Sequence, residues 1–259
     1  MNQSEKRLFL IQSLLNERPS CQKQSIPADS ERQKILLRGL MNVRRPAHIG
    51  TEFLQVQDEY LQNETAAKGI TDVAKLTPIQ PGLYLWQGDI TTLKCDAIVN
   101  AANSGLTGCY IPNHRCIDNA IHTFAGVELR LACGELMEQQ GYPEPTGQAK
   151  ITPAFNLPCR YVLHTVGPIV QGRVTQHDRD LLASCYRSCL ELAAEVGVES
   201  VAFCCISTGE FHFPNDLAAE IAVQTVKEFL KNKTSVKQVI FNVFKDVDKA
   251  IYEKLLRAA

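Results

Sequence analysis

The sequence lacks a long apolar segment and a strong excess of either charge. No apolar run approaches the roughly 18 residues of a membrane span, and the N-terminus alternates charged residues with Leu and Ile instead of showing a secretion signal. The 27 Lys and Arg residues nearly balance the 28 Asp and Glu residues, and no basic stripe occurs. These absences argue against a membrane protein and against nucleic-acid binding driven by bulk charge, and they predict a cytoplasmic protein.

Disulfides are not expected, although the chain has ten cysteines. A chain of 259 residues without a secretion signal is long enough to fold around a core, and the cytosol keeps thiols reduced. Cys185 and Cys189 continue an apolar helical face, and Cys204 and Cys205 lie in the apolar run SVAFCCI, which predicts a buried strand. Most cysteines are therefore interpreted as core residues.

The pattern of the chain changes after residue 77. Residues 1–77 contain three helical patterns and no convincing strand, which predicts a small helical N-terminal region. Residues 78–259 alternate strands with helices, which predicts an α/β fold with a mostly parallel central sheet covered on both faces. The predicted strands are LYLW, DAIVNA, AKITPAF, YVLHTV, SVAFCCI and KQVIFNV, and the predicted helices lie near 115–139, 178–196, 215–231 and 246–258.

Polar loops follow three of these strands, where parallel sheets bind ligands. Asp89 follows the first strand, Asn100 and Asn103 follow the second, and the loop 206–211, ISTGEF, precedes a late helix. Such a loop offers backbone N–H groups to a phosphate, and the amides can bind hydroxyl groups. Taken alone, an aspartate in the position of Asp89 is more often a helix or turn cap than a ligand contact, and the alternative for Asn100 and Asn103 is that they form turns. The chain lacks GxxxxGK[ST], which excludes a nucleoside-triphosphatase loop.

A cluster of metal-ligand residues follows the second strand. Cys109, His114 and Cys116 form a C-x4-H-x-C pattern. Thiolate and imidazole are ligands that Zn²⁺ prefers, and three protein ligands leave one tetrahedral position open, as in catalytic sites. The spacing alone leaves three alternatives, which are zinc binding, redox sensing and ordering of the loop.

Together, GDI after the first strand, DAIVNAAN, HTVGP and CISTGEFHFP resemble the macrodomain family of ADP-ribose-binding and ADP-ribosyl-hydrolysing modules. The resemblance spans roughly residues 80 to 257 and implies a three-layer α/β/α fold. By position, it implies that Asp89 recognises the adenine amino group, that Ile90 contacts the adenine and that Phe244 lies near it. It further assigns the diphosphate to Ser207, Thr208, Gly209, Glu210 and Phe211, and it places Asn103, Ile117 and Asp118 in the ADP-ribose site, with Asn103 at the distal ribose.

The sequence departs from the commonest macrodomain pattern directly after Asn103, where the C-x4-H-x-C cluster interrupts the usual glycine-rich loop. With the helical N-terminal region, this departure resembles the zinc-dependent subgroup of bacterial protein ADP-ribosyl hydrolases. That subgroup is associated with a sirtuin-type ADP-ribosyltransferase and a lipoyl-carrying protein related to the glycine cleavage H protein. The resemblance implies one zinc ion per chain and hydrolysis of mono-ADP-ribose from proteins, with Asp or Glu esters as the expected linkage.

The mechanism stays open in two respects. Zinc could lower the pKa of a bound water, or it could position the ribose and polarise the leaving oxygen. The segment IDNAIH at 117–122 resembles the Val-Asp-Gly-x-Ile-His segment of hydrolytic macrodomains, which makes Asp118 a candidate general base while Asn103 orients the ribose. The alternative for Asp118 is a carboxylate favoured by the helix dipole in a first turn.

Several further predictions concern structural or non-catalytic roles. His122, His164 and His212 are expected to be structural. A binding module that reads ADP-ribose without turnover is the alternative to the hydrolase. The N-terminal helices are expected to dock on the core because their apolar faces must be buried, either with a share in recognising the modified protein or only as a stabilising cap.

Overall fold

The structure, a computed structural model, describes residues 1–17 and 25–257. The strands in these ranges are β1 (Thr71–Asp72), β2 (Leu83–Gln87), β3 (Leu93–Lys94), β4 (Ala97–Ala102), β5 (Ala149–Pro153), β6 (Tyr161–Val166), β7 (Ser200–Phe203) and β8 (Gln238–Val243). The α-helices in these ranges are α1 (Gln3–Asn16), α2 (Ser30–Val43), α3 (Thr51–Lys68), α4 (Ile117–Ala125), α5 (Val127–Gln140), α6 (Gln176–Glu195), α7 (Asn215–Leu230) and α8 (Asp246–Arg257). None of these helices combines the length and hydropathy that a bilayer span requires.

The centre of the molecule is a six-stranded sheet in the order β2-β8-β7-β4-β6-β5. Each neighbouring pair is parallel except β5 with β6, which is antiparallel and closes one edge. Helices cover both sides of the sheet, so the strands are mostly buried on both faces, and Ala97, Ile98 and Val99 of β4 are fully buried. Helices α6, α7 and α8 pack beside one another, and α4 and α5 form a second group against the sheet. The predicted three-layer α/β/α architecture is confirmed.

The N-terminal helices have an apolar core of their own. It consists of Leu10, Ile11, Leu14, Leu15, Leu37, Leu40, Met41, Phe53, Val56, Tyr60 and Leu61, together with Val127 from α5. Polar contacts join this region to the rest: the Val127 backbone N–H donates to Gln57 Oε1 at 2.9 Å, and Asn156 Nδ2 donates to Asp58 Oδ1 at 2.7 Å. The prediction that these helices dock on the α/β core is confirmed.

Three details differ from the sequence-based expectations. Strand β1 pairs with β3 although it lies inside residues 1–77, where no strand was expected. Strand β7 ends at Phe203, so Cys204 and Cys205 follow the strand instead of lying within it. The long helical pattern at 115–139 divides into α4 and α5 at Gly126, whose φ of 99° favours glycine. The domain boundary after residue 77 stays a prediction.

Candidate active site

The parallel strands bring the predicted loops to one edge of the sheet. Asp89 follows β2, Asn103 follows β4, Ser207 follows β7 and Phe244 follows β8. These four strands are parallel and lie next to one another in the sheet, so their carboxyl ends share one edge. This is the edge where open α/β sheets bind ligands, and it forms the candidate active site.

Asp89 is held in a defined orientation at this edge. Its Oδ1 accepts hydrogen bonds from the Thr91 backbone N–H at 3.0 Å and from Thr91 Oγ1 at 2.6 Å. Its Oδ2 accepts from Lys68 Nζ at 2.9 Å, and Lys68 comes from the end of α3 in the N-terminal region. Burial on its own would raise the pKa of Asp89, but the hydrogen bonds from Thr91 and Lys68 outweigh it and hold this pKa below its ordinary value. Asp89 therefore presents an ionised acceptor, the state that would accept a bond from an amino group.

The other two residues assigned to adenine differ in exposure. Phe244 is 75% exposed, and its carbonyl accepts from Gln87 Nε2 at 3.3 Å beside the end of β2. An exposed aromatic ring is available for stacking. Ile90 is buried in the apolar core, with 1% of its surface exposed. The adenine contacts of both residues stay predictions.

The loop after β7 is tightly turned and precedes α7. Ser207 has a φ of 64°, and its carbonyl accepts from the Phe213 backbone N–H at 3.0 Å. Thr208 Oγ1 donates to the Cys205 carbonyl at 3.0 Å, and Gly209 and Glu210 are exposed. Ser207 Oγ is buried and has no hydrogen-bond partner within the described residues. Gly209 and Glu210 are the part of the loop that a ligand can reach, and backbone N–H groups in such a turn suit a diphosphate. The assignment of Ser207, Thr208, Gly209, Glu210 and Phe211 to the diphosphate stays a prediction.

Gly167 packs closely against this loop. A Cβ at residue 167 would lie 2.0 Å from Ser207 Oγ and 2.9 Å from Ile206 Cγ2, so Gly167→Ala must shift the side chains of Ser207 and Ile206. We expect the affinity for ADP-ribose, the ligand that the resemblance implies, to fall about tenfold or more, because overpacking at a close contact costs roughly 1–3 kcal/mol. Isothermal titration calorimetry with ADP-ribose measures the effect. Gly50→Ala is the control, because a Cβ there has no neighbour within 4 Å in the described residues; equal affinity in both variants would contradict the prediction.

Asp118 and Asn103, the two candidate catalytic residues, are hydrogen-bonded to each other. Asn103 Nδ2 donates to Asp118 Oδ2 at 3.2 Å, and Asn100 Nδ2 donates to Asp118 Oδ1 at 2.9 Å. Asp118 is 5% exposed, in the first turn of α4. Burial raises the pKa of Asp118 to about 6, against the opposing effects of Asn100, Arg130 and Asn103. A carboxyl with this pKa can take up a proton near neutral pH.

Asn100 has a different place from the one its sequence position suggested. It is fully buried within β4, opposite His164 of β6, so it lies in the strand and does not form a turn. Its Nδ2 lies 3.2 Å from His164 Nδ1, and His164 Nε2 lies 3.0 Å from Thr152 Oγ1 and 3.7 Å from Cys133 Sγ. Burial lowers the pKa of His164 to about 3, which keeps it neutral. Asn100 thus links the Asp118 carboxylate to the buried His164 imidazole.

The three histidines that were expected to be structural differ in their surroundings. His122 is buried, and its Nε2 lies 3.6 Å from Asp118 Oδ1. His122, His164 and Cys133 form a buried cluster, in which one ring nitrogen of each histidine and the cysteine sulfur lie within 4.8 Å of one another. The sequence did not indicate this proximity. Burial lowers the pKa of His122 well below its ordinary value. His212 is exposed in a turn with a φ of 56°.

The metal-ligand residues converge beside the Asn103–Asp118 pair. The ligand atoms of Cys109, His114 and Cys116 lie within 4.8 Å of one another, and all three residues are half-buried. His114 Nδ1 is buried without a hydrogen-bond partner in the described chain, while its Nε2 lies 3.7 Å from Glu210 Oε1. Asn103 Nδ2, which reaches Asp118, also donates to the Gly108 carbonyl at 3.2 Å, at the start of the cysteine loop.

Cys116 also begins α4. Its Sγ accepts from the Asn119 backbone N–H at 3.4 Å, as a capping side chain does. Burial raises the pKa of the Cys116 thiol, and Cys109 and Asp118 nearby raise it further. A cation bound beside it would favour the thiolate form of Cys116. Ile117, the next residue, is half-buried in the first turn of α4.

Residues of the N-terminal helices reach this site, and the sequence analysis did not identify them. Arg38 donates to Asn119 Oδ1 and to the His114 carbonyl, and Lys68 pairs with Asp89. Both lie in amphipathic helical patterns, where a basic residue is typical of a solvated face. Only the docking of the helices shows that these two side chains face the cleft.

Comparisons with known proteins agree on one family. A family model described as Macro domain matches residues 99–222. The chain is 58% identical to a protein-ADP-ribose hydrolase of Treponema medium, over 99% of this chain and 100% of the relative. The Oceanobacillus iheyensis macrodomain structure has 40% identity and a TM-score of 0.64, covering 71% of this chain and 95% of that one. The Trypanosoma brucei macrodomain in complex with ADP-ribose has 28% identity and a TM-score of 0.66, covering 89% of this chain and 97% of that one.

Proposed function

The chain belongs to the macrodomain family, and on this premise we propose that it is a hydrolase that removes ADP-ribose from modified proteins. The observation that carries the proposal is the pair formed by Asp118 and Asn103, at 3.2 Å, beside three residues with metal-ligand chemistry. A site that only bound ADP-ribose would need the adenine and diphosphate contacts, but not a buried carboxyl at the far end of the cleft. The relative from Treponema medium, named as a protein-ADP-ribose hydrolase and matched over nearly its whole length, supports this choice.

We further propose that Cys109, His114 and Cys116 hold one zinc ion. The donor set fits this ion, because two sulfurs and an imidazole nitrogen lie within 4.8 Å and the buried His114 Nδ1 has no hydrogen-bond partner in the described chain. Glu210 near His114 Nε2 fits the usual pairing of a ligating histidine with a carboxylate. When bound, zinc would supply a Lewis acid beside the distal ribose.

The residues of the chain would divide the reaction between binding and proton transfer. Asp89 and the loop 206–211 would hold the adenine and the diphosphate, so that the distal ribose has one orientation. Asn103 would orient this ribose through its amide. Asp118 would take the proton of the attacking water, while the bond between the anomeric carbon and the protein side chain breaks. A pKa of about 6 leaves Asp118 ionised, and so able to accept this proton, near neutral pH.

The finer features of the substrate follow from the resemblance to the zinc-dependent subgroup. We propose mono-ADP-ribose attached as an Asp or Glu ester, added by a sirtuin-type transferase, as the substrate linkage. A lipoyl-carrying protein related to the glycine cleavage H protein is the proposed carrier, and the cytoplasm the proposed location. Recognition of this carrier by the N-terminal helices is a further part of the proposal.

The proposed function is tested by turnover on a protein that carries mono-ADP-ribose on glutamate. We expect the full chain to release free ADP-ribose, detected by mass spectrometry, to lose this activity after metal removal and to regain it with added zinc. Binding of ADP-ribose without any release, in protein loaded with zinc, would overturn the hydrolase and support the reader module instead.

A further inference from the structure

The loop that carries the three metal ligands contacts helix α2 directly at Asn113 and His114, and its other residues contact side chains that α2 holds. We propose that these helices fix the conformation of residues 108–116 and thereby preorganise the metal ligands, through Arg38, Asn42 and the carbonyl groups that hold Arg130. This inference rests on the proposed function, because it takes Cys109, His114 and Cys116 as ligands. It assigns the N-terminal region a role in the metal centre, beyond that of a stabilising cap.

Arg38 of α2 holds the second half of the loop. Its Nη2 donates to the His114 carbonyl at 3.0 Å and to Asn119 Oδ1 at 2.8 Å, and its Nε donates to the same Oδ1 at 3.2 Å. Asn119 in turn donates its backbone N–H to Cys116 Sγ and its Nδ2 to the Ile111 carbonyl. The fork of one guanidinium thus positions the backbone of His114 and the residue that caps Cys116.

Asn42, one helical turn beyond Arg38, holds the middle of the loop. Its Oδ1 accepts from the Asn113 backbone N–H at 2.9 Å, and its Nδ2 donates to Thr123 Oγ1 at 2.9 Å. Asn113 has a φ of 57°, a conformation that most residues avoid without support. Gly39 leaves room for this turn, because a Cβ there would lie 3.1 Å from Asn113 Nδ2. Asn42 is 1% exposed, so the amide is committed to these partners.

Arg130 of α5 joins the end of α2 to the first half of the loop. Its Nη1 donates to the carbonyl groups of Met41, Asn42 and Arg44, the last of these at 2.7 Å. These carbonyls lie at the C-terminal end of α2, where backbone acceptors lack helical partners and a cation is favoured. The Nη2 of Arg130 donates to the Cys109 carbonyl at 3.4 Å, and the guanidinium carbon lies 4.4 Å from the centre of the Tyr110 ring.

Each of the three ligand residues is therefore positioned by a contact that depends on α2. Cys109 is held through Arg130, His114 through Arg38, and Cys116 through Asn119, which Arg38 holds. A loop that is ordered before it binds loses less conformational entropy when it does bind, so preorganisation increases affinity. Removal of residues that orient ligands typically lowers metal affinity by about 10-fold to 100-fold.

The test compares Arg38→Ala with Arg32→Ala in the full chain. Arg32 is an exposed arginine in the first turn of the same helix and serves as the matched control. Zinc affinity is measured by competition with a chromogenic chelator. We expect Arg38→Ala to bind zinc about 10-fold to 100-fold more weakly, Arg38→Lys to recover part of the loss, and Arg32→Ala to match the wild-type chain.

Hydrogen exchange of the metal-free chains provides a second readout. We expect faster exchange over residues 108–119 in Arg38→Ala and in Asn42→Ala, with unchanged exchange in the sheet. Unchanged zinc affinity together with unchanged exchange of the loop in a folded Arg38→Ala would overturn the inference. A wild-type chain that binds no zinc would overturn the proposed metal centre, and the exchange of the loop would then decide the positioning role by itself.

Discussion

His114→Ala is expected to prevent stable zinc binding and to remove nearly all hydrolysis of the ADP-ribosylated protein. His114 supplies the only nitrogen among the three proposed ligand atoms, and its loss leaves two cysteines, too few for a stable catalytic site. A Lewis acid contributes several kcal/mol to a hydrolytic transition state, so we expect kcat to fall by roughly three orders of magnitude. Metal content by mass spectrometry and ADP-ribose release measure the two effects.

Two cysteine variants complete this test: Cys109→Ser changes a second proposed ligand, and Cys95→Ser is the control. Cys109→Ser is expected to lose zinc and turnover as His114→Ala does, because serine is a poor zinc ligand. Cys95→Ser changes a thiol just before β4, at the amino end of the strand and away from the candidate site. This variant is expected to keep zinc binding and turnover. Full hydrolysis by metal-free wild-type protein would contradict the prediction, and it would leave loop ordering or redox sensing as the role of the cluster.

Asp118→Asn is expected to lower kcat by about 100-fold to 10,000-fold while ADP-ribose still binds. Asparagine nearly preserves the shape of a side chain that is 5% exposed, but it cannot accept the proton of the attacking water. Its amide oxygen still offers one acceptor to the donors Asn100 and Asn103. Single-turnover kinetics and calorimetry with ADP-ribose separate the two effects.

Asp89→Ala is the contrasting variant, because Asp89 lies at the other end of the proposed ligand. We expect it to raise KM about tenfold and to leave kcat nearly unchanged, as loss of uniform binding does. Thr91 and Lys68 lose a hydrogen-bond acceptor in this variant, so circular dichroism must confirm that it folds. If both variants lost ADP-ribose affinity equally and kept kcat, Asp118 would be a binding or structural residue only.

The sequence determined most of the fold through local patterns. The six strands of the sheet and the helices could be predicted because buried parallel strands are short continuous apolar runs, while the helices show the longer period of an amphipathic face. The placement of the loops at one edge follows from the parallel order alone. The cluster of Cys109, His114 and Cys116 could be found because its members lie within eight residues of one another.

The tertiary structure decided which polar residues support the candidate site. Arg38 and Asn119 are 81 positions apart, Asn100 and His164 are 64 apart, and Lys68 and Asp89 are 21 apart, so local periodicity does not indicate these pairs. An arginine on an amphipathic helix looks the same in sequence whether it faces water or a loop of the active site. The difference arises when the apolar face of the N-terminal helices docks on the core and carries these cations into the cleft, because hydrophobic burial sets where the helix lies and its polar residues follow.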